Sequence, residues 1–269
     1  MVGMIELENI SKKYGGRQVL DRLNLKVGYG DKILIRGDNG CGKTTLLKII
    51  VGQIRSYSGV IRYEKKDLRI SSLIETPKFF VSWSAEDNLC YFLEKDELSA
   101  AQMYLSMFGL ATVYDRKVAE YSQGMQKKLL LVLALSRDCD LFLLDEPYDS
   151  LDGASVTILN RAIESLAQNQ KSILVVSHSV NFPAGMFTIY CQKEGKLYPQ
   201  GNDGYESVQY FFEFSDGAHR DEAMRHLGLQ VSELTEKGIV CLLKREQVSL
   251  LIRELSEYSL IQARDMSGT

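Results

Sequence analysis

The stretch GDNGCGKTT, residues 37–45, decides the fold of this chain. It satisfies the pattern GxxxxGK[ST] and lies between a short apolar run, DKILIRG, and a run with helical apolar spacing, KTTLLKIIVGQI. In such a setting the glycines let backbone N–H groups turn toward phosphate oxygens, and the start of the following helix adds partial positive charge. The pattern therefore predicts a strand, a phosphate-binding loop and a helix over residues 31–54.

The residues of this loop have expected roles at a nucleoside triphosphate. We expect the Lys43 ammonium to neutralise the outer phosphates and the Thr44 hydroxyl to ligate Mg²⁺. A glycine-rich turn that merely enters a helix is the alternative, but the strand, the Lys-Thr pair and the helix together favour phosphate binding. The expected nucleotide contacts are Gly37, Asp38, Asn39, Gly40, Cys41, Gly42, Lys43, Thr44 and Thr45.

A second apolar run, LFLLDEP, ends in two adjacent carboxylates, Asp145 and Glu146. The carboxyl end of a strand is where α/β sheets place their ligands. We expect Asp145 to hold Mg²⁺ and Glu146 to orient or deprotonate an attacking water. Taken alone, such a pair is equally typical of a solvated strand end, but a phosphate loop in the same chain favours the catalytic interpretation.

Strand patterns alternate with helix patterns along the first 200 residues, which predicts an α/β domain with a largely parallel sheet. Residues from about 85 to 137 form a mostly helical insert. The remaining residues, 201–269, alternate strand and helix patterns in the order of a small ferredoxin-like α+β unit. The turn-rich stretch YPQGNDGYES, residues 198–207, is the expected seam.

Composition excludes several other classes of protein. The 269 residues are 45% hydrophobic and 25% charged, as in ordinary folded domains. A net charge of −3 supplies no field for nucleic acid, so no nucleic-acid partner is expected. The five cysteines are scattered without a CxxC pair, which favours a reducing cytosol over a disulfide framework. The longest apolar run, residues 129–135, is too short to span a bilayer, so any membrane span must come from a partner.

Five motifs stand in an order that resembles the ATP-binding subunits of ABC transporters. After the phosphate loop come YSQGM at residues 121–125, LFLLDEP at 141–147, YDSLD at 148–152 and VVSH ending at His178. The resemblance covers residues 4–200. It implies a P-loop NTPase domain, residues 1–200, with an antiparallel β layer and a helical subdomain at about 85–137, followed by the small acidic domain.

The resemblance also implies an activity and partners. ATP and Mg²⁺ are the implied cofactors, and ATP hydrolysis is implied to drive export through a separate integral-membrane permease. Two such subunits would face head to tail, so that Ser122, Gln123 and Gly124 of one contact the ATP of the other. The implied location is cytoplasmic, on the inner face of the cell membrane. The residues themselves agree, because Ser122 is placed to cap a helix whose start can face an anion.

Three further residues match positions with roles in the family. His178 resembles the switch histidine that reaches the γ-phosphate, although a lone histidine is more often structural. Tyr14 matches the aromatic side chain that stacks on adenine, and an exposed hairpin tyrosine would look the same. Asp152 resembles an aspartate that bridges the two subunits, and it is also well placed to cap the helix that follows.

Glu75 departs from the commonest family pattern, which has glutamine after this strand. A glutamate here is similar to the bacitracin-resistance and lantibiotic-immunity branch of exporters. An additional anion beside Asp145, Glu146 and a triphosphate is costly unless a cation compensates. We therefore predict that Glu75 joins Thr44 and Asp145 at the metal, directly or through water.

Cys41 and a group of three aromatic residues remain to be interpreted. Cys41 sits where a helix start lowers a thiol pKa, which predicts an incidental thiol sensitivity that ATP suppresses. Clustered aromatic residues Phe79, Phe80 and Trp83 are more typical of a core, whereas the family resemblance implies a groove for a helix of the membrane subunit.

Two rival functions remain at this point. The first is a soluble ABC ATPase that couples to no permease; the single cassette and the separation of only 79 positions from Lys43 to Ser122, without sustained heptads, disfavour it. The second is an inactive regulatory subunit, which the presence of Lys43, Asp145, Glu146 and His178 disfavours.

Overall fold

A computed structural model describes residues 4–74, 79–178, 185–199, 207–227, 233–244, 251–252 and 254–265. The chain divides into two compact units, Met1–Gln200 and Gly201–Thr269. Within the described residues, no helix is both long and apolar enough to cross a bilayer.

The first unit begins with an antiparallel sheet in the order β2-β1-β4. Its strands are β1 (Ile5–Tyr14), β2 (Arg17–Val27) and β4 (Ser58–Tyr63). Apolar residues alternate along β2, and every second side chain from Leu23 to Val27 is buried, as expected for a sheet with one face on the core. This sheet and the helix α1 (Lys43–Ile50) share one hydrophobic cluster with the larger sheet.

The larger sheet has the order β5-β6-β7-β3-β8-β9, parallel except for the β8–β9 pair. Register aligns Asp145 with Val176 and Arg36 with Ser177. Since parallel strands end at one edge, the residues that follow β3, β6 and β7 emerge together. The strands are β3 (Lys32–Arg36), β5 (Ile70–Leu73), β6 (Leu141–Asp145), β7 (Ser172–Ser177), β8 (Thr188–Lys193) and β9 (Lys196–Pro199).

Helices pack around this sheet. Helix α4 is buried over its whole second half, residues 129–135, because the run lies against both the sheet and α3. The Ser84 side chain and Asp87 form a reciprocal capping box at the start of α2. The helices of this unit are α1 (Lys43–Ile50), α2 (Ala85–Phe92), α3 (Leu98–Met107), α4 (Gln123–Leu135) and α5 (Gly153–Gln168).

The second unit is an antiparallel sheet in the order β11-β12-β10-β13 with helix α6. Phe212, Phe214, Ile239 and Leu255 form the buried centre of its core. Its elements are β10 (Ser207–Phe214), α6 (Gly217–Leu227), β11 (Glu233–Leu234), β12 (Gly238–Lys244) and β13 (Leu260–Asp265).

Two local features differ from the sequence prediction. Helix α1 ends at Ile50 rather than near Ile54, because Gly52 takes a left-handed φ of 81° and its N–H bonds the Ile49 carbonyl. The β8–β9 hairpin was not predicted, although Glu194 and Gly195, both at positive φ, form the two-residue turn that such hairpins use.

Candidate functional site

The phosphate loop leaves β3 at Gly37 and enters α1 at Gly42, and both positions require glycine. A Cβ on Gly37 would lie 2.7 Å from Cys41 Sγ and from the Gln192 main-chain oxygen. Gly42 has a φ of 110°, and a Cβ there would lie 2.7 Å from Val19 Cγ1. As the N-cap of α1, Gly42 also offers no side chain to the first N–H groups of the helix. The loop is therefore closely wrapped, and the start of α1 is left to an outside anion.

Lys43 places its ammonium inside the loop. Its Nζ atom donates to the main-chain oxygens of Gly37 at 2.6 Å and Asp38 at 3.1 Å. The residue is only 5% exposed, and a carboxylate oxygen of Glu146 lies 3.9 Å from Nζ. A buried ammonium that donates to the main-chain oxygens of the loop places positive charge where the loop would hold an anion.

Gln192 of β8 supports the loop from the side, and sequence reasoning missed it. The residue is 2% exposed, and its Nε2 atom donates to the Cys41 main-chain oxygen at 2.9 Å. The two residues are 151 positions apart, so no local pattern marks the contact.

Thr44 and Asp145 come together across the sheet edge. The Thr44 hydroxyl donates to Asp145 Oδ2 at 2.7 Å. Two neighbouring ligands of an octahedral Mg²⁺ ion with bonds of about 2.1 Å lie about 3.0 Å apart, close to the separation of these two hard oxygens, so the pair fits one ion. Burial raises the pKa of Asp145, and the adjacent Glu146 raises it further, against the hydrogen bond from Thr44. A cation there would offset the cost of the buried carboxylate.

Glu146 is held on both its backbone and its side chain. Its backbone takes a left-handed φ of 45°, and its N–H donates to the Val176 oxygen at 2.9 Å. Its carboxylate accepts from the Ser177 hydroxyl at 2.7 Å and from the His178 N–H at 2.9 Å. A residue in this conformation is strained by about 1–3 kcal/mol, and such strain collects at functional sites.

His178 lies against the same carboxylate through its ring. The Nδ1 atom is 2.9 Å from Glu146 Oε1, and this hydrogen bond raises the pKa of His178. The negative charge of Asp149 raises the pKa of His178 further. One carboxylate oxygen of Asp149, one of Glu146 and a ring nitrogen of His178 all lie within 4.8 Å of one another. Asp149 was not predicted as a site residue, and its charge beside the histidine is a feature of the folded chain.

An open cleft of about 450 Å³ joins Asp145 and Glu146 to six of the nine expected nucleotide contacts of the loop. Tyr14 stands at its edge and is 48% exposed, with Lys12 Nζ 4.8 Å from the centre of its ring. The lining residues are Tyr14, Val19, Asn39, Gly40, Gly42, Lys43, Thr44, Thr45, Asp145 and Glu146.

The start of α4 has the geometry predicted for it. Ser122 is the N-cap, and its hydroxyl accepts from the Met125 N–H at 3.2 Å, so that prediction is confirmed. Ser122 and Gln123 are exposed. A Cβ on Gly124 would meet nothing closer than Ser150 O at 3.6 Å, an ordinary contact. Packing among the described residues therefore gives no reason for a glycine there.

Asp152 caps α5 in this protomer. Its carboxylate accepts from the Ser155 N–H at 2.8 Å and pairs with Lys128 at 2.8 Å. The hydrogen bond from Lys128, followed by that from Ser155, holds the pKa of Asp152 well below its usual range. The capping alternative raised from the sequence is thus confirmed.

Three other sequence predictions have different outcomes. Glu75 lies outside the described residues. The prediction of a lowered Cys41 pKa is wrong, because burial raises the pKa of this thiol and outweighs the nearby Lys43. The aromatic cluster is divided: Phe79 packs on the core, whereas Phe80 and Trp83 stack 4.5 Å apart on the surface, at 39% and 41% exposure.

Comparison with known proteins places this geometry in a family. A family model described as ABC transporter matches residues 20–149. The lantibiotic transport ATP-binding protein SrtF of Streptococcus pyogenes is 32% identical over 65% of this chain and 80% of its own length. The bacitracin transport ATP-binding protein BcrA of Bacillus licheniformis is 31% identical over 66% of this chain and 62% of its own. The zinc import ATP-binding protein ZnuC of Ehrlichia chaffeensis is 31% identical over 66% and 75%.

Solved structures confirm the α/β phosphate-loop fold. A structure of an ATP-binding subunit of an ABC transporter superposes with a TM-score of 0.67 at 20% identity, over 94% of this chain and 99% of its own. The dimeric ATP-binding cassette MJ0796, bound to ADP and Pi, superposes with a TM-score of 0.64 at 22% identity, over 74% and 98%. The family model and the sequence relatives show that the chain belongs to the ABC transporter family, as one of its ATP-binding and ATP-hydrolysing subunits.

Proposed function

We propose that two copies of this chain, or this chain and a close relative, close head to tail on ATP and drive a membrane permease. The observation that carries this proposal is the separation of two anion-directed features within one protomer. The cleft contains the phosphate loop and the carboxylates, and of the described residues none in 122–124 lines it. The exposed start of α4 therefore has its partner outside its own cleft, and the terminal phosphate bound by a second subunit fits its chemistry.

The residues of the cleft suit attack of water on the γ-phosphorus. Glu146 accepts a proton from the water while the oxygen of the water forms a bond to the γ-phosphorus. At the same time the bond from phosphorus to the β,γ-bridging oxygen breaks. ADP leaves with that electron pair, and the proton is released with phosphate. Lys43 balances charge on the outer phosphates, and His178 orients the Glu146 carboxylate and donates toward the γ-phosphate. Tyr14 offers its ring to the base.

Mg²⁺ would be held by Thr44 and Asp145, with Glu75 as the further predicted ligand. When bound, the ion neutralises phosphate charge and polarises the γ-phosphoryl group. The protein supplies the other two groups: the positioned base, Glu146, and the donor at the end of β7, His178.

The dimer closes because residues of both subunits neutralise the charge of the same triphosphate. A triphosphate carries about four negative charges, which repel a second subunit unless helix starts, lysines and metal cover them. The Ser122 hydroxyl and the N–H groups that follow it donate to the phosphate from the opposite subunit and so compensate part of its charge. Once the γ-phosphoryl group has left, one nucleotide no longer bridges both faces, and the dimer opens. Opening and closing are what the permease uses.

An exposed aromatic surface supports contact with that permease. We name it the aromatic patch: Phe80, Val81, Trp83 and Tyr91, all exposed, with Phe80 and Tyr91 rings 5.1 Å apart. Such a surface suits the apolar face of a helix that projects from a membrane protein. The location that follows is cytoplasmic, on the inner face of the cell membrane.

For cargo, we propose export of a peptide antibiotic or a similar toxic compound. The support is the Glu75 position together with the names of SrtF and BcrA. Deleting this chain should sensitise its host to bacitracin or a lantibiotic, and a plasmid copy should restore resistance. A host that instead grows poorly only when zinc is scarce would argue for import.

The dimer itself is tested with Glu146→Gln. This variant retains every phosphate contact but lacks the base, so ATP should bind and hold the dimer closed. Light scattering with saturating ATP should give twice the monomer mass, and ADP should give the monomer mass. Adding Gly124→Glu, which places an anion at the start of α4, should abolish the dimer without abolishing ATP binding. A monomer of Glu146→Gln at saturating ATP would contradict a homodimer.

A further inference from the structure

One lysine of α4 reaches the backbone of the catalytic carboxylate. Lys127 lies just over a turn after the N-cap Ser122, and its Nζ atom donates to the Glu146 main-chain oxygen at 2.8 Å. The side chain is partly buried, and this burial lowers the pKa of Lys127. The carboxylates of Asp149, Asp145 and Glu146 act in the opposite direction and favour the charged form. The ammonium therefore lies in a partly dry position surrounded by anions.

The bond fixes a residue whose backbone is strained. On its N–H side Glu146 is tied to β7 through Val176, and on its carbonyl side it is tied to α4 through Lys127. Among the described residues, the Asp149 N–H also donates to that carbonyl, at a longer 3.3 Å. With both sides of the residue held, the carboxylate has a defined direction toward Ser177 and His178.

The neighbouring lysine joins the same helix to the same segment at a different place. Lys128 pairs with Asp152 at 2.8 Å, whereas Lys127 contacts Glu146. Helix α4 is thus attached to both ends of residues 146–152, the segment between β6 and α5. The second half of α4 is buried, and both lysines lie between it and Ser122, so a displacement of the helix start would be transmitted to both attachments.

We propose that Lys127 is a positioning residue that couples the start of α4 to the carboxylate of Glu146. The inference rests on the proposed function, in which Ser122 contacts the nucleotide of the opposite subunit. When that nucleotide binds Ser122, it fixes the position of α4. Through its hydrogen bond, Lys127 then fixes the position of Glu146, the base that acts on the protomer's own nucleotide. Coupling of this kind is reciprocal for binding, so each site of the dimer senses occupancy of the other.

Kinetics of Lys127→Met test the proposal, since methionine keeps the apolar stem and removes the donor. A displaced base should lower kcat by about tenfold to a hundredfold. The KM for ATP should change less than about twofold, because no phosphate contact is lost. Lys127→Arg, which keeps a charged donor, should recover most of kcat. Lys128→Met is the matched control: it loosens the same helix but leaves the Glu146 bond, and it should keep at least about half of kcat.

Amide hydrogen exchange gives a readout that does not need turnover. The Glu146 and Asp149 amide protons should exchange at least about tenfold faster in Lys127→Met than in Lys128→Met, with equal thermal midpoints showing that both variants are folded. Equal exchange in the two variants would overturn the positioning role, as would equal losses of kcat. If the wild-type chain forms no ATP-dependent dimer, the proposed function fails, while exchange still decides what Lys127 does.

Discussion

The Nδ1 atom of His178 lies 2.9 Å from Oε1 of Glu146, while the His178 N–H donates to the same carboxylate. His178 thus contacts the Glu146 carboxylate through both its backbone N–H and its ring. The imidazole can serve as a charged donor only when it is protonated, so its pKa sets how firmly the carboxylate is held.

The first prediction concerns that pKa. In NMR titrations the imidazole of His178 should titrate above the ordinary value of about 6.5, and in Glu146→Gln its midpoint should fall. Because the folded-state pKa is raised, the pair's contribution to folding is fully present below the ordinary pKa and is lost as pH rises through the raised value. An unchanged midpoint in Glu146→Gln would show that the pairing is absent in solution.

The second prediction concerns the support of the phosphate loop. Gln192→Met removes the donor to the Cys41 carbonyl at nearly constant volume. A net hydrogen bond contributes about 1 kcal/mol, so the Kd for ATP should rise by about fivefold if the bond shapes the binding conformation. Isothermal titration calorimetry measures the change. An unaltered Kd with a lowered unfolding midpoint would assign Gln192 to stability alone.

The third prediction contrasts two glycines. Gly42→Ala forces a Cβ to within 2.7 Å of Val19 at a φ of 110°, so it should lower the free energy of unfolding by about 1–3 kcal/mol and abolish ATP binding. Gly124→Ala meets only an ordinary contact and should change stability by no more than about 0.5 kcal/mol. Denaturant unfolding measures both. Equal destabilisation would mean that Gly124 is packed more tightly than its geometry shows.

The fourth prediction concerns the acid side of the stability profile. Lys128 and Ser155 lower the pKa of Asp152, so its contribution is present above the ordinary aspartate pKa of about 4 and is lost as pH falls. Asp152→Asn, which still accepts from Ser155, should remove that pH dependence, and Asp152→Ala should lower the thermal midpoint further at neutral pH. Thermal scans between about pH 3 and 7 compare the three proteins.

The fifth prediction tests the aromatic patch. Trp83 is the single tryptophan of the chain, so its fluorescence reports this surface without interference. Acrylamide should quench it readily in the isolated subunit and less in the complex with a permease whose own tryptophans have been replaced by phenylalanine. Trp83→Ser should leave the unstimulated ATPase rate unchanged and abolish stimulation by the permease. Equal quenching in the complex would place the permease elsewhere.

Local chemistry explains why much of this site was predictable. The loop from Gly37 to Thr45 lies within one strand-turn-helix unit, and Asp145 and Glu146 follow a continuous apolar strand. Ser122 caps the helix beside it in the chain. In each case the residues that determine the geometry lie within a few positions of one another.

The missed residues depend on packing between distant segments. Lys127 meets Glu146 across 19 positions, and Gln192 meets Cys41 across 151. Either residue would look like a solvated side chain in its own segment. Cys41 fails for a related reason, since the helix start next to it was visible in the sequence whereas the burial that raises its pKa was not.

The left-handed backbone of Glu146 has a consequence for anyone who engineers this protein. Glycine would relax the backbone at that position and at the same time remove the proposed base, so selection for heat resistance alone would favour a more stable but inactive protein. A library built for robustness should therefore keep position 146 constant and seek its gains elsewhere.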